Sequence, residues 1–321
     1  MITYVLFVLG FVALVKGADL LVEGASSIAV KFKISQMIIG LTIVSFGTSL
    51  PELLVNITAS VKGNPEIAIG NIFGSNIANI LLILGISALI RPLPITRNIY
   101  FSEIPFSLIA TLLVGFLANA ALFSDIDTLT LSRLDGGILL VFFSLFIGYI
   151  YAVHRNNLEA SAPEEEFVSR DSIPKSIILI AIGLIGLYFG GEWVVTGAVK
   201  IAGEMGLSQT FIGLTVIAIG TSLPELFTSA VAAYKGNTDI AVGNVVGSNI
   251  FNLLWILGVS ALIRPLPFDI ASNTDIIMII ISSALLLFAV AVGKGARIVR
   301  WEGILFILVY LTYLWYLLQR G

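Results

Sequence analysis

The string Gly47-Thr-Ser-Leu-Pro-Glu-Leu53 recurs unchanged as Gly220-Thr-Ser-Leu-Pro-Glu-Leu226. Thr48 and Glu52 are four residues apart, on one face of a helix, with Ser49 beside them. Thr221, Ser222 and Glu225 repeat the pattern. A proline, Pro51 or Pro224, precedes each glutamate. Proline has no N–H and its ring pushes the preceding turn open, so carbonyl oxygens near 45–48 are expected to be freed. Hydroxyls, carbonyls and carboxylates are hard donors. They suit Ca2+, Na+ or Mg2+ rather than soft metals. Downstream, Asn71, Ser75 and Asn79 fall at four-residue steps and make one polar stripe, and Asn244, Ser248 and Asn252 make another. Both stripes lie on Gly-x-x-x-Gly frames, Gly70/Gly74 and Gly243/Gly247, which allow close helix approach. Ser75, Asn79, Ser248 and Asn252 are read as site residues. For Asn71 and Asn244, packing and ion binding both remain open.

Charge narrows the cargo. Two carboxylates supply −2, which one Ca2+ neutralises, as do two Na+ or two H+. An unloaded pair is costly in a low dielectric, so a site that holds either load is an exchanger in outline. Mg2+ fits less well because it gives up its waters reluctantly.

The elements that position these groups must lie in a membrane. Of 321 residues, 58% are hydrophobic and 12% charged, more apolar surface than a soluble domain can hide. Ten apolar segments approach the length of a membrane helix: 2–29, 37–61, 66–89, 99–121, 134–154, 174–202, 210–234, 239–262, 274–292 and 301–319. Their continuous runs favour helices over a barrel. The expected fold is an all-α membrane protein of ten transmembrane helices in two inverted five-helix repeats. The N-terminus lacks the positive segment of a cleavable signal and reads as the start of the first span.

Residues 155–173 form a short polar linker, and the units 1–154 and 174–321 on either side are copies. An offset of 173 carries Asn71 to Asn244, Asp19 to Glu192, and Ser87–Pro94 without change to Ser260–Pro267. Five spans per copy is an odd number, so the second copy enters from the opposite side. With the N-terminus outside, eleven Lys and Arg fall in inner loops and five outside, with Lys16 inside the first span. That excess places both termini outside and the linker in the cytoplasm. Glycines at 10, 17 and 24, and at 183, 186, 190, 191 and 197, are expected to let the long first and sixth helices slide against the rest.

Other classes find little support. The net charge of −3, with no basic stripe, gives no reason to expect nucleic acid. No cysteine is present, which excludes disulfides and thiolate chemistry. His154, the one histidine, stands where an apolar segment ends and reads as interfacial. Glu164–Glu166 read as a solvated charge run. Asp19 and Glu192 read as gating or interfacial groups, with a second ion site as the alternative. No nucleophile with its base and no His-Glu-x-x-His motif is present, so an enzyme is not expected. A channel would need a continuous pore, and duplicated halves around midplane carboxylates favour a carrier.

The strings Gly47–Glu52 with Gly70–Asn79, and Gly220–Glu225 with Gly243–Asn252, resemble the alpha-repeats of the calcium/cation antiporter superfamily, which contains the sodium/calcium exchangers. Ten spans, an inverted repeat and a short linker resemble its prokaryotic members along the whole length. The resemblance implies Ca2+/Na+ antiport by alternating access in a prokaryotic cell membrane, with H+/Ca2+ or other divalent exchange at the same glutamates as the alternative. It implies four cation positions in a diamond. Glu52 and Glu225 would bind Ca2+ with the backbone oxygens of Thr48 and Thr221. Na+ would use the same carboxylates with Ser49, Ser222, Ser75, Ser248 and the carbonyls of Ser45 and Ala218. Asn79 and Asn252 would close the middle position. Some members carry aspartate at one of these last two. Two asparagines here argue against potassium co-transport and keep the site at −2. The partners expected are Ca2+, Na+ and the bilayer, with no cofactor and a monomeric chain.

Overall fold

The computed structural model describes residues 2–123, 128–160, 172–205, 218–292 and 295–320. Those residues are almost all helical. In chain order they form α1 (Ile2–Phe32), α2 (Gln36–Thr48), α3 (Leu50–Lys62), α4 (Pro65–Ile90), α5 (Ile99–Ala118), α6 (Arg133–Ala160) and α7 (Ile173–Glu204). After the turn Ala218–Thr221 come α8 (Leu223–Lys235), α9 (Thr238–Ile263), α10 (Ile270–Val292) and α11 (Arg300–Arg320). Among the described residues, eight helices are long and apolar enough to cross a membrane, and the pair α2–α3, bent by 46°, makes a ninth. These nine coincide with nine of the ten expected segments. The remaining one, 210–234, is described only from Ala218, and most of the polar linker lies outside the described residues.

The helices turn apolar side chains outward. On α1, Val5, Val8, Val12 and Val15 are exposed at helical spacing, while Gly10, Leu14, Gly17 and Leu21 face inward. A surface so apolar around a polar interior is the arrangement that lipid, rather than water, selects. The polar residues accordingly sit in the middle. Asn56, Ser75, Asn76, Asn79, Asn244, Ser248, Asn249 and Asn252 are all buried.

Local structure repeats at the offset of 173. The helix ends before Gly63 and Gly236 both close with glycine in the left-handed region, φ 77° and 89°, which a side chain would strain. A π-helical turn interrupts α4 at Asn79–Ile83 and α9 at Phe251–Ile256. Such turns insert a residue into the helical ladder and re-aim side chains, often at functional sites. Two short antiparallel links tie the halves. Leu93–Pro94 pairs with Arg297–Ile298, and Thr130–Leu131 pairs with Leu266–Pro267. α1 packs along α7 over most of its length and also against α8, while α9 packs on α2, α6 and α8.

The inward glycines of α1 and α7 face each other. A Cβ on Gly17 would meet the Gly183 carbonyl oxygen at 2.8 Å, and one on Gly10 would meet the Gly190 carbonyl oxygen at 2.9 Å. These glycines therefore join α1 to α7 rather than easing the pair over its neighbours. Of those expected to aid sliding, Gly191 is the one whose nearest neighbour lies on α8, with Pro224 at 3.9 Å.

Candidate ion-binding site

Each glutamate stands in the first turn of a helix that starts at a break. Ser49 (φ −83°, ψ 8°) and Ser222 (φ −85°, ψ 5°) leave helical geometry, and α3 and α8 restart with Pro51 and Pro224 in the first turn. Proline is tolerated there because that N–H has no intrahelical partner. The restart directs the positive end of each new helix at its own glutamate. Both carboxyl groups end up buried, each residue about 1% exposed.

The two repeats meet at these groups. The Ser49 hydroxyl donates to Glu225 Oε1 at 2.9 Å. The hydroxyls of Thr48 and Ser248 also lie beside Glu225, and those of Thr221 and Ser222 lie beside Glu52. The latter fall outside hydrogen-bond geometry, so both oxygens of Glu52 and Glu225 Oε2 are buried with no hydrogen-bond partner among the described residues. The hydroxyls of Ser75, Ser222 and Ser248 and the Oδ1 atoms of Asn79 and Asn252 are equally unbonded. Buried acceptors of this kind cost free energy unless something positive satisfies them. Their number and chemistry, all hard oxygen, fit a desolvated cation such as Ca2+ or Na+. Among the described residues no cluster of three or more His, Cys, Asp or Glu exists, so such a cation would rely on two carboxylates and neutral oxygens.

Asn71 and Asn244 hold the broken helices. Thr48 Oγ1 donates to Asn244 Oδ1 at 3.0 Å, and Thr221 Oγ1 donates to Asn71 Oδ1 at 3.2 Å. Asn244 Nδ2 donates in turn to the Glu225 carbonyl (3.3 Å) and Ser229 Oγ (3.0 Å), and Asn71 Nδ2 to the Glu52 carbonyl (3.5 Å) and Asn56 Oδ1 (2.7 Å). Both amides are fully engaged, which favours packing over ion binding for this pair.

Two expectations need adjustment. The Ser45 carbonyl is not freed: it accepts from Ser49 N at 3.0 Å, and Thr48 Oγ1, whose one hydrogen goes to Asn244, lies 3.3 Å away. In the second copy the Ser222 N–H turns to the Ile219 carbonyl instead, at 3.2 Å, so the Ala218 carbonyl does not receive the matching bond. The glycine frames also differ. A Cβ on Gly247 would lie 2.7 Å from the Leu41 carbonyl oxygen, but for Gly70 and Gly74 no atom of the described residues lies within 4 Å. The segment that would match Leu41 at the offset of 173 lies outside the described residues.

Beyond the glutamates, Asp19 is ion-paired with Lys235, whose ammonium also donates to the Asp19 carbonyl at 3.4 Å. Its counterpart Glu192 instead borders a cleft of about 230 Å³ with Pro51, Leu54, Thr221 and Pro224. The sequence reading missed four amide and hydroxyl groups, Asn56, Ser229, Asn76 and Asn249. All are buried and bonded within this network. Asn76 and Asn249 stand inside the repeated Gly-Ser-Asn-Ile-x-Asn strings, one residue off the four-step stripe. That string identity was the available signal.

The family model described as sodium/calcium exchanger protein matches residues 2–152 and 175–319. The chain is 39% identical to the putative antiporter CaxA of Alkalimonas amylolytica, covering 98% of each sequence. It is 34% identical to the sodium/calcium exchanger MaX1 of Methanosarcina acetivorans, over 98% of this chain and 97% of that one. Among solved structures it is similar to the sodium-calcium exchanger NCX_Mj, in a crystal soaked with Na+ and Sr2+. There the TM-score is 0.80, with 37% identity over 98% of this chain and 97% of that one.

Proposed function

We propose, from the premise that this chain belongs to the sodium/calcium exchanger protein family, that it exchanges Ca2+ for Na+ across a prokaryotic cell membrane. The observation that carries the reading is the pair of buried carboxylates, Glu52 and Glu225, in identical strings of the two halves and surrounded by unbonded oxygens. The ligands we assign are those two carboxylates with Ser49, Ser222, Ser75, Ser248, Asn79 and Asn252. The Thr48 and Thr221 backbone oxygens serve Ca2+, and the carbonyl of Ala218 serves Na+. The Ser45 carbonyl, already holding the Ser49 N–H, is the weakest of the set. CaxA and MaX1 carry antiporter and exchanger names, which support antiport here and leave the driving ion to experiment.

The architecture that goes with this function has ten spans, five in 1–154 and five in 174–321, inverted about the site, with 155–173 as the cytoplasmic linker. Inversion makes the two access states near equivalents related by a two-fold rotation in the membrane plane, the simplest way to expose one site to two sides. The chain works as a monomer, with α1 and α7 moving as one body against the helices that hold the site.

The test is 45Ca2+ uptake into proteoliposomes. An outward Na+ gradient should drive uptake, and an outward H+ gradient at equal Na+ should not. Uptake driven by protons alone would transfer the reading to H+/Ca2+ exchange at the same glutamates. With three Na+ the site carries +1, and with one Ca2+ it is neutral. An inside-negative potential should then accelerate Na+ entry and Ca2+ exit, and indifference to potential would reduce the stoichiometry to two Na+.

Orientation has a separate test. In a chain without cysteine, Ser161→Cys in the linker should resist an impermeant thiol reagent in intact cells and react after lysis. Labelling of intact cells would place the linker outside and invert the assignment.

A further inference from the structure

We propose that Asn76 and Asn249 are positioning residues, each fixing the amide of Asn252 or Asn79 so that its Oδ1, and not its Nδ2, faces the transported cation. The inference rests on the exchange reading above and adds two residues to it. A side-chain amide has an acceptor end and a donor end of nearly equal shape. A cation binds the first and is repelled by the second, so something must decide which end turns inward.

The decision starts at two backbone carbonyls. Asn76 Nδ2 donates to the Asn249 carbonyl and Asn249 Nδ2 donates to the Asn76 carbonyl, each at 3.4 Å. A backbone carbonyl can only accept. Each of these amides must therefore turn its nitrogen to the opposite main chain, which leaves its own Oδ1 as an acceptor. Asn252 Nδ2 donates to Asn76 Oδ1 at 3.1 Å, and Asn79 Nδ2 donates to Asn249 Oδ1 at 2.9 Å. Flipping Asn252 would set oxygen against oxygen. The order of donation thus runs from main chain to Asn76 to Asn252, and reciprocally from main chain to Asn249 to Asn79.

The far ends of both chains carry the functional consequence. Asn79 Oδ1 and Asn252 Oδ1 are buried with no hydrogen-bond partner among the described residues. The π-helical turn that starts at Asn79 packs against α8, which carries Glu225, and the turn that holds Asn252 packs against α3, which carries Glu52. A network built for packing alone would satisfy these two oxygens, because an unbonded buried acceptor is destabilising. A network that orders these four amides and leaves two oxygens free, on turns that pack against the glutamate-bearing helices, is organised for a cation.

A double-mutant cycle separates positioning from structural support. Asn76→Ala releases the Asn252 amide and should raise the Ca2+ concentration for half-maximal exchange about tenfold or more, the usual cost of removing a group that orients a ligand. The maximal rate should change less. Asn252→Asp presents oxygen whichever way it turns. In that background Asn76→Ala should cost less than about threefold, judged by the same scale. Asn249→Ala with Asn79→Asp is the reciprocal cycle and serves if Asn76→Ala does not fold. Ca2+-dependent rise of the thermal midpoint in detergent reads binding without transport. A wild-type Ca2+ dependence in Asn76→Ala, or an equal loss in both backgrounds, would overturn the proposal. So would misfolding of both alanine variants that the aspartates do not relieve, since that marks a purely structural role. Wild-type protein that neither binds nor exchanges Ca2+ would instead remove the transport reading and this inference with it.

Discussion

Glu52→Gln and Glu225→Gln should each abolish Ca2+ exchange while leaving the protein folded. Gln keeps the volume and much of the polarity but removes one of two charges. A bound Ca2+ would then leave +1 in a buried site whose remaining groups are neutral. Breaking a buried ion pair by removing one partner costs about 3–5 kcal/mol. At about 1.4 kcal/mol per tenfold, Ca2+ affinity should fall by at least ~100-fold. The folded state should tolerate the change, because a neutral amide is less costly to bury than an uncompensated carboxylate. Size-exclusion behaviour and the thermal midpoint without Ca2+ check the fold, and 45Ca2+ uptake checks the function. The two variants should be equally defective, although among the described residues only Glu225 accepts a hydrogen bond from the opposite repeat. Near-normal uptake by either one, in monodisperse protein, would remove the two-carboxylate site.

Much of this arrangement is legible in the residues, and the limits have physical reasons. The repeated string placed both glutamates alike, each in the first turn of a restarted helix. Apolar length alone located nine helices long enough to cross a membrane among the described residues, because a bilayer imposes one length on every helix that crosses it. The four-residue step of Asn71, Ser75 and Asn79 identified a helix face. It does not say which helix that face meets, and it is the bonds of Asn71 to Asn56 and the Glu52 carbonyl that mark it as a packing residue. Asn76 and Asn249 escaped for the same reason. Their partners are 173 residues away in the chain, and no local period encodes a bond across the repeat interface. The break at Ser49 followed from Pro51, but proline removes only the N–H owed to Gly47, so the Ser45 carbonyl keeps the backbone N–H of Ser49.

The glycines of α1 and α7 carry the second large expected effect. Nothing in their spacing shows whether they face lipid, the central helices or each other. In the structure they face each other. A Cβ on Gly183 would lie 2.7 Å from Leu21 N and 2.8 Å from the Gly17 carbonyl oxygen, and both are main-chain atoms that cannot rotate away. The two helices are also joined at one end, where the Tyr4 hydroxyl bonds Glu204 and Lys200 sits over the Tyr4 ring at 4.9 Å. α1 and α7 are thus packed backbone to backbone, and in the proposed cycle, where the pair moves as one body, their separation should stop exchange. Gly17→Val and Gly183→Val should each force the backbones apart at a cost of about 1–3 kcal/mol or more, the range for overpacking a well-packed contact. We expect exchange to fall at least tenfold, with a lower thermal midpoint. Gly148→Ala in α6, where no atom of the described residues lies within 4 Å of the added atom, sets the baseline and should exchange like wild type. Normal exchange and stability in both valine variants would show that the α1–α7 contact is dispensable, and a one-body movement of the pair would have to be abandoned.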